Sequence, residues 1–326
     1  MKKKIVVTGA AGFIGSHVCD ELLLRGYRVV GVDNLSMGKI ENIEHNFSNP
    51  GFDFEKIDVQ EKDLLVKICG GAEKIVHLSA YKIPRYGGAA DTLLINSRGM
   101  LSVLEAARIT SSKVVFASTS DVYGKNPEVP FSESSDLVIG PSYIPRWGYA
   151  ASKIFDEHLC YAYCREYDIP IVILRYFGSY GPRQHLSWWS GPVSVFISAV
   201  FGNECMEIHG NGLQTRTFLY ISDLVEGTVK AIETDKANGE IFNIGRTREI
   251  NILDLAHLIK KLTGTPGESK IKFVPYSAFG KEKYEDVMRR VPDITKAKKL
   301  LGFEPKVSLE DGLVRTIKWQ KQVMQK

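Results

Sequence analysis

Ile5-Val6-Val7-Thr8-Gly9-Ala10-Ala11-Gly12-Phe13-Ile14-Gly15 decides how the rest of the chain is read. An apolar run of strand type ends at Thr8, and three glycines follow within seven residues. A core strand has no use for them, because each glycine loses more backbone freedom on ordering than any other residue. A turn whose backbone must approach something else does. From Ile14 onward the pattern is helical, so the glycines sit at a strand–helix junction. Gly9 permits the tight turn, Gly12 lets the backbone approach a pyrophosphate, and Gly15 lets the helix pack closely on the sheet, with the phosphates at the helix N-terminus. Asp33 ends the next strand, 18 residues after Gly15. A carboxylate there accepts hydrogen bonds from an adenosine ribose and repels a 2′-phosphate, so NAD is expected rather than NADP.

Outward from this loop, short apolar runs alternate with helical patterns. Strands are expected at 5–8, 27–32, 74–78, 114–118 and 171–174. Helices are expected at 14–25, 63–69, 92–107 and 151–167. Such alternation implies βαβ units and an α/β fold of Rossmann type, a doubly wound parallel sheet. After about residue 178 the texture changes, with glycine, proline and tryptophan crowded into 178–192. The expected division is a cofactor-binding domain over 1–177, to which 221–245 returns as a helix and a short strand, and a smaller mixed α/β substrate-binding lobe over 178–326. Leu309, Leu313 and Ile317 at helical spacing predict a packed C-terminal helix.

Composition narrows the partners. The chain has 326 residues, 44% hydrophobic and 25% charged, which suits a large core. A net charge of +4 gives no reason to expect nucleic acid or a membrane surface, but it suits an anionic small substrate. The apolar run after Met1-Lys2-Lys3-Lys4 is broken at once by Thr8 and Gly9, which argues against a signal peptide. Five cysteines without a CxxC pair fit reduced thiols and a cytoplasmic setting. Cys160 and Cys164, four apart on a helix, read as packed thiols. Seven scattered histidines suggest no metal site.

Tyr149-Ala150-Ala151-Ser152-Lys153 places a phenol and an ammonium one helical turn apart on one face. A tyrosine of pKa near 10 is a poor base at neutral pH. A neighbouring ammonium and a positive nicotinamide would both favour its phenolate. Thr119, 30 residues upstream and just past a strand, can share the substrate proton.

The spacing TGxxGxxG together with YxxxK resembles the short-chain dehydrogenase/reductase superfamily. Length and the later motifs resemble its extended branch, which acts mostly on nucleotide sugars. The resemblance runs from about Lys4 to Thr316. It implies that Phe13 and Ile14 meet the cofactor beside the three glycines, and that Asn34, Asp58 and Val59 lie at its adenosine end. Leu78 and Ala80, in His77-Leu78-Ser79-Ala80, line the strand end beside it, and Asn96 is mainly structural. Tyr149 takes a proton from the sugar C4 hydroxyl while hydride passes to NAD, Lys153 also holds the nicotinamide ribose, and Tyr176 lies near the nicotinamide. Gln214-Thr215-Arg216-Thr217-Phe218 resembles a motif of the whole branch in which Arg216 suits the nucleotide diphosphate. A homodimer through two helices of the first lobe is implied, with 92–107 and 151–167 as candidates and Ile154, Phe155, Leu159 and Tyr163 serving core or interface.

Three reactions share the first step: 4-epimerisation, 4,6-dehydration and decarboxylation. In the eliminating enzymes of the branch the residue two after the threonine is usually Glu, and in 4-epimerases it is small or apolar. Here Asp121 takes that place as a candidate catalytic carboxylate, with Ser120 on the substrate side. Pro145-Arg146-Trp147-Gly148-Tyr149 and the run from Phe279-Gly280-Lys281 to Glu285-Asp286-Val287-Met288-Arg289-Arg290 resemble UDP-glucuronate decarboxylases, which places Arg290 in the active site. Lys82 and Arg85 are positioned to meet a substrate carboxylate. Gly178 replaces an asparagine that touches the nucleotide side, which suggests a roomier pocket. The resemblance narrowly favours a UDP-sugar 4-epimerase, with UDP-glucuronate decarboxylase second and 4,6-dehydratase third. A non-catalytic NAD-binding regulator is the reading from another class, and the presence of Thr119, Tyr149 and Lys153 together argues against it.

Overall fold

The computed structural model describes residues 2–82, 89–188, 190–264, 270–278 and 285–325. Its centre is a seven-stranded parallel sheet. The chain enters with β1 (Lys4–Thr8), α1 (Phe13–Leu24), β2 (Arg28–Val32), β3 (Phe52–Glu55), α2 (Lys62–Cys69) and β4 (Lys74–His77). It continues through α3 (Ala89–Thr110), β5 (Lys113–Thr119), α4 (Trp147–Tyr167) and β6 (Ile171–Tyr176). After β7 (Ser179–Tyr180), α5 (Pro192–Phe201), β8 (Met206–His209), β9 (Thr215–Thr217), β10 (Leu219–Tyr220) and α6 (Ile221–Glu233), the chain returns as β11 (Ile241–Ile244). The strand order is β11-β6-β5-β4-β1-β2-β3, and every pairing in this sheet is parallel. This is the Rossmann-type α/β class expected from the alternation. The order reverses between β1 and β4, and in such sheets ligands bind beyond the carboxyl ends of the strands at that switch.

Parallel strands covered on both faces need continuous apolar runs. Ile5, Val6 and Val7 of β1 and Val114, Val115 and Phe116 of β5 are fully buried. The remaining elements are β12 (Glu249–Asn251), α7 (Ile252–Thr263), β13 (Ile271–Val274), α8 (Thr295–Leu301) and α9 (Leu309–Met324). Outside the central sheet the strands pair into three two-stranded sheets, β10-β7, β12-β9 and β13-β8. Leu309, Leu313 and Ile317 are buried on α9, as their spacing predicts.

Most expected strands and helices appear within a few residues. Two differences have physical causes. β3 is absent from the sequence reading because Phe52-Asp53-Phe54-Glu55 is half charged. It is an edge strand, paired only with β2, so alternate residues meet solvent. β6 runs two residues beyond the expected end, through Arg175 and Tyr176. Arg175 stays in a buried strand because Glu157 of α4 pairs with it through two hydrogen bonds, Nε–Oε1 at 3.0 Å and Nη2–Oε2 at 2.6 Å.

The glycine turn is packed to its limit. Gly9 has φ +71°, and a Cβ there would stand 2.8 Å from the Ser79 amide nitrogen. A Cβ on Gly15 would fall 2.0 Å from the Gly9 carbonyl oxygen. α1 therefore leaves no space for a side chain where it crosses the turn. Gly15→Ala should lower unfolding stability by about 1–3 kcal/mol, the range for overpacking a closed site. An unchanged urea midpoint would contradict this packing.

Candidate active site

A cavity of about 1300 Å³ opens at the carboxyl ends of β1, β2, β4 and β5. One half is floored by the glycine turn. Gly12 caps α1 without a side chain, and the first turn holds no acidic residue. Its amide groups and helix dipole therefore suit an anion. Asp33 receives the Ala11 and Leu35 amides at 3.0 and 2.8 Å, and burial raises its pKa. Asn34 donates to Asp58 at 2.8 Å, which joins two of the three residues expected at the adenosine end. Val59, Leu78 and Ala80 complete this wall. The cradle fits a dinucleotide: bare backbone for phosphate, a fixed carboxylate for ribose and an apolar wall.

The other half gathers charge. Thr119 ends β5, Ser120 and Asp121 follow it, and Tyr149 enters from the first turn of α4. Thr119 Oγ1 accepts from the Asp121 amide at 3.2 Å and donates to its carboxylate at 3.4 Å. Arg290 pairs with Asp121 at 2.7 Å. Burial pushes the Asp121 carboxyl up, but Arg290, Arg146, Lys82 and Arg216 together outweigh it and hold it well below the usual carboxylate range. Asp286, buried beneath them, accepts from Arg216 at 2.8 Å, lies 3.6 Å from Arg146 and accepts from the Tyr276 hydroxyl at 3.2 Å. Arg216 also donates to the Thr215 and Val287 carbonyls, both at 2.7 Å.

Apart from Lys153 and Arg85, the predicted site residues all line this cavity. Arg85 and 279–281 lie outside the described residues. Lys153 lies behind the wall at 2% exposure. Its ammonium donates to the Ala117 carbonyl at 3.0 Å and stands 4.5 Å from the Phe116 ring centroid. The protein's own groups do not lower the Tyr149 phenol. Burial, then the charges of Asp121 and Asp156, push the Tyr149 phenol upward instead of lowering it. Tyr176 presents its ring to the cavity, but its hydroxyl is tied to Thr228 at 2.7 Å. Gly178 does not open a space: a Cβ there would meet the Thr217 carbonyl oxygen at 2.7 Å. In the stretch 184–192, Gln184 donates to the Ser179 and Ser190 carbonyls, each at 3.0 Å, and Trp188 stacks on His209 at 4.3 Å, so this part of the stretch forms cavity wall. Asn96 binds both backbone groups of Tyr81 and the Ser152 hydroxyl, a structural role as expected. Sequence reasoning missed Asp286 as a hub, because its partner Arg216 stands 70 residues away. Among the described residues no cluster suits a metal ion, and no helix is long and apolar enough to cross a membrane.

The sequence profile of the GDP-mannose 4,6-dehydratase family matches residues 6–316. The chain belongs to that family, in the extended short-chain dehydrogenase/reductase branch. It is 38% identical to the UDP-N-acetyl-alpha-D-glucosaminuronate decarboxylase of Bacillus cytotoxicus, over 99% of both chains. It is 38% identical to UDP-glucuronic acid decarboxylase 1 of Xenopus tropicalis, over 97% of this chain and 72% of that one. It superposes on the UDP-glucuronic acid 4-epimerase of Bacillus cereus, solved with UDP-glucuronic acid and NAD, with TM-score 0.88, 35% identity and coverage of 98% and 99%. The family consists of NAD-dependent nucleotide-sugar epimerases, decarboxylases and dehydratases, and this chain is an NAD-dependent member.

The Asp121–Arg290 pair has a pH signature. A depressed carboxyl pKa contributes stability that is present above the unfolded value, about 4, and lost as pH falls. Arg290→Ala should cost about 1.5–3 kcal/mol near neutral pH, the range for a hydrogen bond to a charged group. The deficit should shrink below about pH 4. Urea midpoints across pH check this, and a deficit independent of pH would contradict it.

Proposed function

We propose that this protein is an NAD-dependent decarboxylase of a UDP-linked uronate, acting through transient oxidation at sugar C4. The observation that carries this reading is the Asp121–Arg290 pair beside Thr119 and Tyr149. Arg290, Lys82 and Arg216 make this end of the cavity suited to a substrate with both a carboxylate and a diphosphate, and Arg216 is assigned the diphosphate. Ser120 and Gly178 lie along the sugar. The lobe over 178–326, apart from 221–245, is assigned the nucleotide sugar.

Gly9, Gly12, Phe13, Ile14 and Gly15 would hold the pyrophosphate of NAD at the start of α1. Asp33 would take the ribose, and Asn34, Asp58 and Val59 the adenine. Leu78, Ala80, Tyr176 and Lys153 would take the nicotinamide end. Bound NAD supplies a hydride acceptor for C4 and a positive charge that favours the Tyr149 phenolate. Tyr149 removes the proton of the C4 hydroxyl, and Thr119 Oγ1 is the second partner of that oxygen. With C4 a carbonyl, the C5 carboxylate is β to it. The C5–C6 bond then breaks, carbon dioxide leaves, the electron pair moves onto the C4 oxygen, and C5 takes up a proton from solvent. The hydride held by the cofactor would then return to C4 as that oxygen regains its proton, so the oxidation is reversed and the product differs from the substrate by one carbon dioxide. Tyr149, whose phenol is pushed upward in this site, holds its proton against that oxygen. Arg290 orients the departing carboxylate. Asp121, kept ionised, disfavours a second negative charge beside it and so favours loss as neutral carbon dioxide.

Epimerisation at C4, the first choice from sequence, requires the ketone to turn over in its pocket. The room once attributed to Gly178 is filled by the Thr217 carbonyl. Similarity over 97% or more of this chain to two uronate decarboxylases supports decarboxylation as well. Epimerisation remains the second reading, favoured by the likeness to an epimerase whose substrate is also a uronate.

Incubation of the NAD-loaded enzyme with UDP-glucuronate and with UDP-N-acetylglucosaminuronate should give, from at least one, a product lighter by one carbon dioxide. An isomer of unchanged mass would establish the second reading. Tyr149→Phe should lower kcat about 10²–10⁴-fold. The homodimer expected from sequence is proposed to form through α3 and α4, which leave Leu94, Leu101 and Phe155 exposed. Phe155→Lys should shift the sedimentation coefficient toward that of a monomer, and an unchanged value would place the interface elsewhere.

A further inference from the structure

Beneath the active site, α4 carries a carboxyl with no hydrogen-bond partner. Tyr149, Lys153, Asp156 and Cys160 follow at helical spacing along one face. Asp156 is fully buried. Neither of its oxygens meets a donor among the described residues. Its neighbour Glu157 is the contrast: Ser118 and Arg175 saturate it. An unpartnered buried carboxylate is costly and needs a nearby cation to remain charged. Lys153, one turn back, is that cation. It is itself buried, and its ammonium is fixed by the Ala117 carbonyl and the Phe116 ring.

We propose that Asp156 is the buried counter-charge of Lys153: ionised, it keeps the ammonium protonated and seated under the cavity floor, and protonated, it leaves that ammonium unbalanced. Asp156 touches neither substrate nor cofactor in this account. It is a positioning residue acting through Lys153, and the inference rests on the reading of Tyr149 and Lys153 as the catalytic pair.

The electrostatics agree with the geometry. Burial lowers the Lys153 pKa, and Asp156 is foremost among the charges that oppose that fall. Burial pushes the Asp156 carboxyl up to about 6, with Lys153 pulling down and Glu157 pushing up. The other titratable groups of this region do not duplicate the role. On α4, Glu157 is neutralised by Arg175 of β6, and burial pushes the Cys160 thiol far up. Tyr149 is pushed up by burial, then by Asp121 and Asp156. On β4, burial and then Lys153 push His77 down to about 3, so it is neutral. On α3, which packs along α4, Arg108 pairs with Glu105, Glu105 also accepts from Tyr163, and Asp91 and Arg98 are exposed.

The sign of the pH effect follows. Asp156 has a folded pKa above its unfolded value. Its contribution to stability is therefore full below about pH 4 and lost as pH rises through about 6. An uncharged isostere escapes that loss. Asp156→Asn should be more stable than the parent at pH values above about 6, with the difference vanishing towards about pH 4. In a Lys153→Met background the carboxyl has lost its cation. The upper end of the pH window over which Asp156→Asn changes stability should therefore move upward in that background. In the NAD-loaded enzyme, kcat should carry an acid limb near pH 6 that Asp156→Asn lacks. The basic limb of that variant should move down by about one pH unit, because Lys153 gives up its proton more readily.

The experiment is a double-mutant cycle of Asp156→Asn and Lys153→Met, read as urea midpoints across pH. It is joined to kcat–pH profiles of the NAD-loaded parent, Asp156→Asn and Tyr149→Phe. A window that moves upward without Lys153, together with the missing acid limb, supports the proposal. A window unmoved by Lys153→Met overturns it. So does an Asp156→Asn protein less stable than the parent above pH 6, or one with both limbs unchanged. Tyr149→Phe separates the two levels. If it is inactive while Asp156→Asn keeps the parent profile, this inference alone fails. If it remains fully active, the catalytic reading fails first.

Discussion

Glu157 joins the three elements on which the site is built. Its carboxylate, on α4, accepts from Ser118 at the end of β5 and from Arg175 in β6. β5 delivers Thr119 and Asp121, α4 delivers Tyr149 and Lys153, and β6 delivers Tyr176. Without that carboxylate, Arg175 would be a charge buried in a parallel sheet with nothing to balance it. With it, the polar ends of the two strands and α4 are locked in one register. A tyrosine from α4 and a threonine and an aspartate from the end of β5 can then face one cavity.

The remaining charges form a second tier of the same kind. Asp121 holds Arg290, and Asp286 holds Arg216 and Arg146. These pairs fix guanidinium groups in a partly buried cavity, where loose side chains would have to be ordered by the substrate at an entropic cost. They also keep Asp121 ionised, so this carboxylate acts as a fixed negative charge in the unliganded enzyme and not as a proton donor. A site with fixed cations for two anionic groups and a fixed anion beside one of them is suited to expelling a carboxylate. It is less suited to turning a neutral sugar.

Much of this was legible in the sequence because it depends on local rules. The glycine turn, Asp33, the YxxxK turn and the threonine that ends β5 each lie within one short stretch of chain, where spacing determines geometry. Gly178 was misread because an absent side chain looks like space until the facing strand is known. The upward push on Tyr149 was missed because it comes first from burial, which only the packed fold reveals, and then from Asp121 and Asp156, the first of them on another segment. The hub at Asp286 joins segments about 70 and 140 residues apart, and nothing local marks such a partnership. β3 escaped because an edge strand needs only half an apolar pattern.

The most direct measurement is the reaction of the NAD-loaded enzyme with UDP-glucuronate and UDP-N-acetylglucosaminuronate in deuterium oxide, followed by mass and NMR analysis of the sugar. Bond cleavage at C5–C6 leaves a carbanion that must be quenched from solvent. The account therefore predicts a decarboxylated product carrying one deuterium at C5. A uronate of unchanged carbon count, inverted at C4 and free of deuterium at C5, would contradict it.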